Sequence, residues 1–400
     1  MTSSKQAARL DRRSVLVAGV LISAIGALFY NLLPMYLGVA KDFRNLSYEQ
    51  MGLIGSAFFL GYTLTSASAF FWIRSIDWRL VSLVSLGIAA LGLLLGGGSE
   101  RYGTLLASVC LAGGGFGALY SVGTTLLSDA ENAARWYGAK ITAEAVYGAV
   151  LLFLAPALVL PRWGFVGLTG AIIVGIVLLA PACLWLPAQG LRQPDSRPGT
   201  TRRVANTLPI WLGLAGVGLF MCGQTGIWGF VERIGNGSGF DPVLVGTLLA
   251  VSLLFAVSGS LVAAWLGNRK GCLKPLIVAH LVFFAGLAVL TQARLFAPYA
   301  IGACLVMFSV GLGIAYAVST VAELDLDGRY VVLTVPFIGL GVMAGPGIAG
   351  MLASEEGYAP VLAFGAVSLA LSLAAFVLGA RGTRAAAPGS AADLHMERWP

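Results

Sequence analysis

The most informative absence in this 400-residue sequence is charge. Asp, Glu, Lys and Arg together make up only 11% of the residues, whereas hydrophobic residues make up 58% and the mean hydropathy is +0.86. Soluble domains average about 25% charged and about 45–50% apolar residues. This composition excludes a soluble enzyme and a disordered chain, and it indicates a protein that lies within a lipid bilayer.

Residues that carry enzymatic chemistry are also scarce. The chain has two histidines and contains no H-E-x-x-H, G-x-S-x-G or G-x-x-x-x-G-K-[ST] motif, the patterns of metalloproteases, α/β-hydrolases and nucleotide-binding loops. We therefore expect no metal, no cofactor and no direct ATP drive, and an enzyme embedded in the membrane is a distant alternative. The five cysteines are scattered without metal or redox spacing: Cys110, Cys183, Cys222, Cys272 and Cys304.

Twelve long hydrophobic runs account for most of the chain. A membrane-spanning helix needs about 20 apolar residues, and the first run is longer than the core of a signal peptide, which has about 7–15 residues. The predicted fold class is an all-α integral membrane protein with twelve transmembrane helices. The runs are 14–37, 48–72, 80–97, 102–127, 136–160, 164–186, 208–231, 242–266, 274–291, 297–321, 330–352 and 359–379.

The distribution of basic residues predicts the orientation. The net charge is +7, from 25 Lys and Arg against 18 Asp and Glu. If the N-terminus is cytoplasmic and the runs alternate in direction, 19 of the 25 basic residues fall on the cytoplasmic side, as the positive-inside rule requires. We therefore expect a multi-pass protein of the cytoplasmic (inner) membrane with both termini inside. The basic excess orients helices and does not indicate nucleic-acid binding.

A polar stretch that contains Pro and Gly divides the chain into two similar halves. Residues 1–187 form a predicted N-terminal six-helix bundle, 188–207 a cytoplasmic linker, 208–380 a C-terminal six-helix bundle and 381–400 a cytoplasmic tail. Corresponding helices begin 194 or 195 residues apart, and Ser47 and Asp241 are N-cap candidates at equivalent positions. Two pseudo-symmetric bundles related by a parallel repeat are a transporter architecture.

Loop signatures add a family resemblance. The segment GSLVAAWLGNRKGCLKP (259–275) has Asn268 where the signature has an acidic residue, and Arg269 and Lys274 at its basic positions. A glycine-rich run in predicted helix 11 contains Gly345 and Pro346. With this layout the chain resembles the major facilitator superfamily (MFS) over nearly its whole length. The resemblance implies the MFS fold, a monomer, and alternating access to a central cavity that binds a small molecule.

Two departures from the family's patterns bear on the direction of transport. The glycine signature that is associated with exporters when it lies in helix 5 occurs here in helix 11. The basic residue that many proton-coupled exporters carry in helix 4 is missing, since residues 102–127 contain no Arg or Lys. The leading hypothesis is secondary active transport of a small organic solute with a proton as the coupling ion. An efflux pump for drug-like or amphipathic compounds is the alternative.

Glu144 is the predicted proton-coupling residue. It lies eight residues into predicted helix 5, about 12 Å along the helix, and the resemblance places this helix beside the central cavity. Carboxyl groups in partly apolar surroundings take up a proton near neutrality, and ionisable residues within the membrane are functional candidates by default. Pairing with Lys140, one helical turn away, is the alternative reading.

Polar and aromatic side chains of helices 1, 4, 7 and 10 are candidates for lining the cavity, with packing or interfacial anchoring as the alternative for each. No Arg or Lys lies near a predicted helix midpoint, which disfavours a small anionic substrate. Neutral, cationic and aromatic solutes remain. The cavity candidates are Asn31, Tyr36, Tyr120, Gln224, Trp228 and Tyr316.

The expected cytoplasmic gate combines basic residues of the helix 8–9 loop with acids at the end of helix 10. In this hypothesis the cations bind Glu323 or Asp325 beside the flexible glycine run of helix 11 and hold the cytoplasmic side shut in the outward-open state. Solvated loop acids without a gating role are the alternative. Glu232 and Arg233 end predicted helix 7 at the outer face, where charged residues usually lie in the membrane interface, and a gating role is the alternative. His280 is expected to make a local hydrogen bond. The gate candidates are Asn268, Arg269, Lys274, Glu323, Asp325, Gly345 and Pro346.

Overall fold

The computed structural model describes residues 12–188, 207–267, 271–325 and 330–385, and these residues form twelve α-helices. A π-helical turn (Ala155–Val159) joins α5 to α6, a 3₁₀ turn (Ala180–Trp185) follows α6, and another (Val331–Leu333) precedes α11. The all-α fold class is confirmed. The helices are α1 (Arg13–Arg44), α2 (Tyr48–Trp72), α3 (Trp78–Gly98), α4 (Tyr102–Ser128), α5 (Ala133–Leu154), α6 (Leu160–Leu179), α7 (Leu208–Gly237), α8 (Pro242–Leu266), α9 (Leu273–Leu290), α10 (Phe296–Leu324), α11 (Thr334–Leu352) and α12 (Ala359–Ala385).

Eleven helical runs among the described residues are long and apolar enough to span a membrane, and the longest, Arg135–Trp185, contains both α5 and α6. A straight helix of its 51 residues would measure about 77 Å, far more than the hydrocarbon core of about 30 Å. The run instead bends at Gly164 (φ 52°, ψ −139°). Tyr147 of α5 lies against Gly175 of α6, so the two arms lie side by side where helices 5 and 6 are predicted.

Side-chain caps fix where the repeat-related helices α2 and α8 begin. Ser47 precedes α2 and forms a capping box with Gln50, in which each side chain bonds the other residue's backbone N–H. Asp241 precedes α8 and accepts hydrogen bonds from two N–H groups of the first turn. Such caps satisfy backbone donors that have no partner within the helix. The two N-caps predicted from the repeat are confirmed.

Two faces of the bundle are named by the chain segments that they contain. The linker face is the face where α1 and α7 begin and where the α6 segment and α12 end. The opposite face contains the α1–α2, α7–α8 and α11–α12 connections. The basic residues predict that the linker face is cytoplasmic.

The inner helices of the bundle are α1, α4, α7 and α10. In their apolar windows 83, 61, 72 and 67% of the residues are buried, whereas the share is 39–50% in the other spans. Within the N-terminal half α1 packs on α4 and α5, and across the interface it packs on α7. The family resemblance implies that helices 1, 4, 7 and 10 line the cavity, and these are the four most buried helices of the bundle.

The two halves pack against each other through repeat-related helix pairs. Gly52 of α2 packs on α11, and Gly246, 194 residues later in α8, packs on the end of α5. Both glycines allow a close approach, since a Cβ at either position would lie within 3 Å of the neighbouring segment. The same offset relates the positions that they touch: Pro346 and Gly350 in one contact, and Leu152 and Pro156 in the other.

Candidate functional site

A buried ion pair lies in the linker-facing part of α5. Nζ of Lys140 is 2.8 Å from Oε1 of Glu144, and the two side chains are only 4% and 13% exposed. The pair that the sequence left open as an alternative is therefore formed. An uncompensated charge in such surroundings is strongly unfavourable, so each of these two charges depends on the other.

Two polar residues of α1 complete the surroundings of Glu144. Ser23 donates a hydrogen bond of 2.6 Å from Oγ to the same Oε1 atom that Lys140 contacts. Asn31, a cavity candidate, donates from Nδ2 to the backbone carbonyl of Glu144 at 2.8 Å. The helices are close here because Gly148 of α5 has no side chain to hold α1 away. Asn31 therefore positions the backbone of the acid, and Ser23 positions its carboxylate.

Tyr120 of α4, another cavity candidate, contacts the ammonium group. Lys140 donates a hydrogen bond of 3.0 Å to Oη of Tyr120, and its Nζ lies 4.2 Å from the centroid of that ring. A cation near an aromatic ring is stabilised by about 0.5–2 kcal/mol, more when water is excluded. Three helices, α1, α4 and α5, thus build one charged cluster inside the N-terminal half.

A row of aromatic rings leads from this cluster to the interface between the halves. The ring of Tyr120 is 5.9 Å from that of Tyr62, which is 6.4 Å from that of Phe59, and Phe59 is 5.9 Å from Tyr30. These centroid distances are typical of aromatic pairs in contact. The row therefore connects the Lys140–Glu144 pair with the centre of the molecule.

At that centre Tyr30 of α1 meets Gln224 of α7. Tyr30 donates a hydrogen bond of 2.9 Å to Oε1 of Gln224, and Trp228 donates from Nε1 to the Tyr30 carbonyl at 3.2 Å. Positions 30 and 224 are 194 residues apart and are therefore equivalent in the repeat. Gln224 is completely buried, and its Nε2 has no hydrogen-bond partner within the described part of the chain. A buried amide without an acceptor is unusual, which makes its N–H donors a candidate contact for a ligand.

Sequence reasoning missed Ser23 and Tyr30 and underestimated the depth of Lys140. The offset of 194 residues from Gln224 was the signal that could have identified Tyr30. Lys140 lies deeper than predicted because α5 begins at Ala133, about one turn before the hydrophobic run. The interior of the bundle therefore does contain a cation.

Two of the six cavity candidates lie elsewhere. Tyr36 is fully buried within the N-terminal half, where its ring is 4.5 Å from Phe29 and 5.3 Å from Phe165. Tyr316 donates a hydrogen bond of 2.9 Å to the Gly267 carbonyl and so joins α10 to the end of α8. Each side chain packs inside one half, which is the alternative that the sequence left open.

Glu232 and Arg233 are buried between the two halves, and the expectation that they lie in the membrane interface is wrong. The reason is that α7 continues to Gly237, beyond its hydrophobic run. Both side chains are buried, and Nε of Arg233 is 2.6 Å from Glu232 Oε2 while Nη1 is 2.6 Å from Oδ1 of Asp42 in α1. Glu232 also accepts a hydrogen bond from Asn236. These contacts join α1 to α7 near the opposite face.

Further contacts between the two halves lie at the surface of the opposite face. Lys41 lies 3.3 Å from Glu355, and the hydroxyl oxygens of Tyr48 and Tyr358 are 3.0 Å apart. Burial raises the pKa of Tyr358, and its hydrogen bond with Tyr48 raises it further, so this hydroxyl stays protonated. The hydrogen bonds and ion pairs that join described residues of the two halves all lie between the middle of the bundle and the opposite face. That face is closed.

At the linker face acidic residues hold turns and helix ends together. Oδ2 of Asp325 accepts backbone hydrogen bonds from Tyr330 and Val331, at 2.6 and 2.7 Å, and so fixes the turn into α11. Arg74 makes a two-pronged contact with Asp129, at 2.5 and 2.9 Å, which joins the ends of α2 and α4. In the structure Asp325 thus caps a turn. Its bond to a loop cation is expected in the state in which the opposite face is open, and it stays a prediction.

The other gate candidates are spread over both faces. Lys274 and Glu323 are exposed at the linker face. Asn268 and Arg269 lie outside the described residues. Gly345 and Pro346 are placed differently from the expectation of a cytoplasmic gate, because they lie in the part of α11 toward the opposite face: Gly345 packs on Thr225 and Cys222, and Pro346 packs on Gly52 and Gly55.

The buried histidine has a structural environment. His280 uses Nδ1 with the Leu276 carbonyl at 2.8 Å and Nε2 with Oγ of Ser372 at 3.2 Å, which confirms the expected local hydrogen bond. Within the described ranges no three His, Cys, Asp or Glu side chains are grouped so that they could hold a metal ion. The chemistry of the central site is therefore that of one ion pair, aromatic hydroxyls and an amide.

Comparisons with known proteins agree with this architecture. The chain is similar to a solved mutant of the nucleoside transporter NupG, with a TM-score of 0.70 and 10% identity over 92% of this chain and 99% of that one. It is also similar to a bacterial homologue of the human lysosomal transporter Spinster in an inward-facing and occupied conformation, with a TM-score of 0.67 and 16% identity over 93% and 97% of the two chains. No curated protein matches the sequence. The family model of the Major Facilitator Superfamily matches residues 20–330, so the chain is a membrane transporter that belongs to this superfamily.

Proposed function

We propose that the protein is a secondary active transporter that moves a small organic solute by alternating access. The observation that carries this proposal is the repeat-related interface, in which Gly52 and Gly246 make equivalent contacts in the two halves. Halves built this way can rock about a central site into two arrangements of similar energy. The contacts that close the opposite face support one of these two arrangements, the one in which a bound solute would leave or enter from the linker face.

Proton coupling at Glu144 is the second part of the proposal. Ser23 and Lys140 both contact Oε1 of this carboxylate, whereas no hydrogen bond joins Oε2 to another described residue. That oxygen is a place for a proton, and its protonation removes the negative charge that holds Lys140. A change in hydration between the two arrangements then changes the proton affinity of Glu144.

The experiment is transport in reconstituted vesicles with an imposed pH gradient. A panel of solutes, including nucleosides because a fold neighbour is described as a nucleoside transporter, is first screened for accumulation by the wild type. Glu144→Gln, which resembles the protonated carboxyl in shape, should abolish accumulation against a gradient and leave exchange without a pH gradient largely intact. Glu100→Gln, at an exposed acid of the α3–α4 connection, is the matched control.

Accumulation by Glu144→Gln at the wild-type level would contradict proton coupling at this residue. In that case the pair with Lys140 is structural and another group couples transport. Absence of accumulation and of exchange by the wild type, for every solute in a broad panel, would contradict the proposed transport activity itself.

A further inference from the structure

The buried cation Lys140 changes which substrates the site fits. From the sequence, anionic substrates were disfavoured because no cation lay near a helix midpoint. The structure places Lys140 seven residues into α5, with a side chain that is 4% exposed. The inference below rests on the proposed function and concerns the substrate class of the same site.

Among the described residues, Glu144 is the only acidic side chain in contact with Lys140. Tyr120 supplies a hydroxyl and a ring face. When Glu144 takes up a proton, the ammonium group therefore loses its counter-charge while it stays buried. A buried, unpaired charge is strongly unfavourable, so a protonated Glu144 favours entry of an anion.

The other groups that face Glu144 do not supply a second charge. Its titratable neighbours are Lys140 and Tyr137 on α5, Tyr62 on α2 and Tyr120 on α4. α1 contributes the neutral Ser23 and Asn31, and the sequence of α8, the helix of the other half that packs on α5, contains no titratable residue. The charge balance of the site is thus set by Lys140, Glu144 and whatever ligand is bound.

The aromatic residues beside the pair favour a particular body for the ligand. The row of Tyr120, Tyr62, Phe59 and Tyr30 offers aromatic surface next to Lys140. At the end of this row the unpartnered Nε2 of Gln224 offers a hydrogen-bond donor. A planar apolar body with one acceptor group can use both features while its anionic group binds Lys140.

We propose that Lys140 is the anion-binding residue of the transport site and that the substrate is a small organic monocarboxylate with an aromatic or similarly planar body. Protonated Glu144 releases Lys140 to the carboxylate, so one proton and one anion enter together without a change in the net charge of the site. When Glu144 loses its proton, the Lys140–Glu144 ion pair forms again and the anion is released. The linkage is thermodynamic, and each of the two ligands therefore increases the affinity for the other by the same factor.

The test is binding by the purified full-length protein, read as stabilisation against thermal unfolding. The probes are carboxylates paired with their primary amides, beginning with benzoate and benzamide and extending to larger aromatic acids. Carboxylates remain ionised at both about pH 5.5 and about pH 8, so a pH effect reports on the protein. In the wild type we expect carboxylates to bind about tenfold or more tightly at the lower pH, and amides to show no such preference.

Substitutions distinguish the contribution of Lys140 to carboxylate binding from that of Glu144. Glu144→Gln should bind carboxylates equally well at both pH values. The double variant Lys140→Gln with Glu144→Gln leaves no unpaired charge at this site to destabilise the fold, and it should no longer distinguish a carboxylate from its amide. Lys140→Arg, which keeps the charge, should retain the distinction. Arg135→Gln removes an exposed cation of the same helix and is the matched control.

The inference is overturned if amides stabilise the protein as much as their carboxylates, if the double variant keeps the distinction, or if no carboxylate of the panel stabilises the wild type. Failure of proton coupling has a different signature. If Glu144→Gln accumulates solute like the wild type while carboxylate binding still requires Lys140, the proposed coupling is wrong and the substrate class stands.

Discussion

Close packing of Gly38 against Glu232 contributes to the closed opposite face. Gly38 lies 194 residues before Glu232, its equivalent in the repeat, and the Glu232 carboxylate occupies the space that a side chain at Gly38 would need. A Cβ placed there would be 1.9 Å from Oε2 of Glu232. That carboxylate is held by Arg233 and Asn236, so it cannot move without breaking hydrogen bonds.

We expect Gly38→Ala to lower the thermal stability of the protein. Overpacking costs typically about 1–3 kcal/mol, which outweighs the gain of about 0.5–1 kcal/mol for replacing a helical Gly by Ala. Gly87→Ala is the control, because nothing lies within 4 Å of a Cβ at that helical position, and it should be neutral or stabilising. Equal midpoints of thermal unfolding for the two variants would show that the Gly38 contact does not restrain the closed face.

The central residues were predictable only in part, for a physical reason. Composition and helix assignment identified Glu144, Asn31, Tyr120, Gln224 and Trp228, because polar groups within a membrane-spanning run are rare and therefore conspicuous. They did not show which side of each helix faces the centre, and two of the six cavity candidates face into their own half. Side-chain direction depends on packing between helices far apart in sequence, which a single sequence does not contain.

At the scale of helices, the paired contacts of α2 with α11 and of α5 with α8 hold the halves together. If these contacts are equivalent, Gly52→Ala and Gly246→Ala should loosen the interface to a similar extent. A Cβ would lie 2.3 Å from the Pro346 carbonyl oxygen in the first variant and 2.5 Å from Cγ of Pro156 in the second. Overpacking that destabilises the closed interface by about 1.4 kcal/mol would increase the population of its loosened form about tenfold.

The measurement is the rate at which a maleimide labels a cysteine at Leu37, a buried residue beside Gly229, in a background without the five native cysteines. Both variants should raise this rate about tenfold over the parent, whereas Gly170→Ala, at an open position, should leave it unchanged. An effect confined to one of the two interface variants would contradict the equivalence of the contacts.

Helix positions were largely predictable, and the exceptions have identifiable causes. Hydropathy located the apolar runs, and the preference of Ser and Asp for the N-cap position identified Ser47 and Asp241 as helix starts. Both signals are local in sequence. The ends of α5 and α7 were not located, because these helices continue past their hydrophobic runs. Beyond the run of α7, Glu232 and Arg233 are buried by neighbouring helices instead of reaching water. Within the run of α5, Lys140 is buried and paired with Glu144.

At the scale of the whole molecule, the proposed mechanism depends on how the opposite face and the linker face change together. In the structure the opposite face is closed by the Asp42–Arg233 ion pair and the contacts around it. Alternating access requires that opening this face closes the linker face, and therefore that the two faces change in opposite directions. A protein with one fixed arrangement would lack this relation, even with the same helices.

Distances between spin labels in lipid nanodiscs test this claim most directly. One pair, at the exposed residues Glu49 and Glu356, reports on the opposite face, and another, at Ser75 and Val335, reports on the linker face. Removing the ion pair with Asp42→Asn should populate longer distances in the first pair and shorter distances in the second. Lengthening of the first pair with no change in the second would show only local loosening and would contradict alternating access.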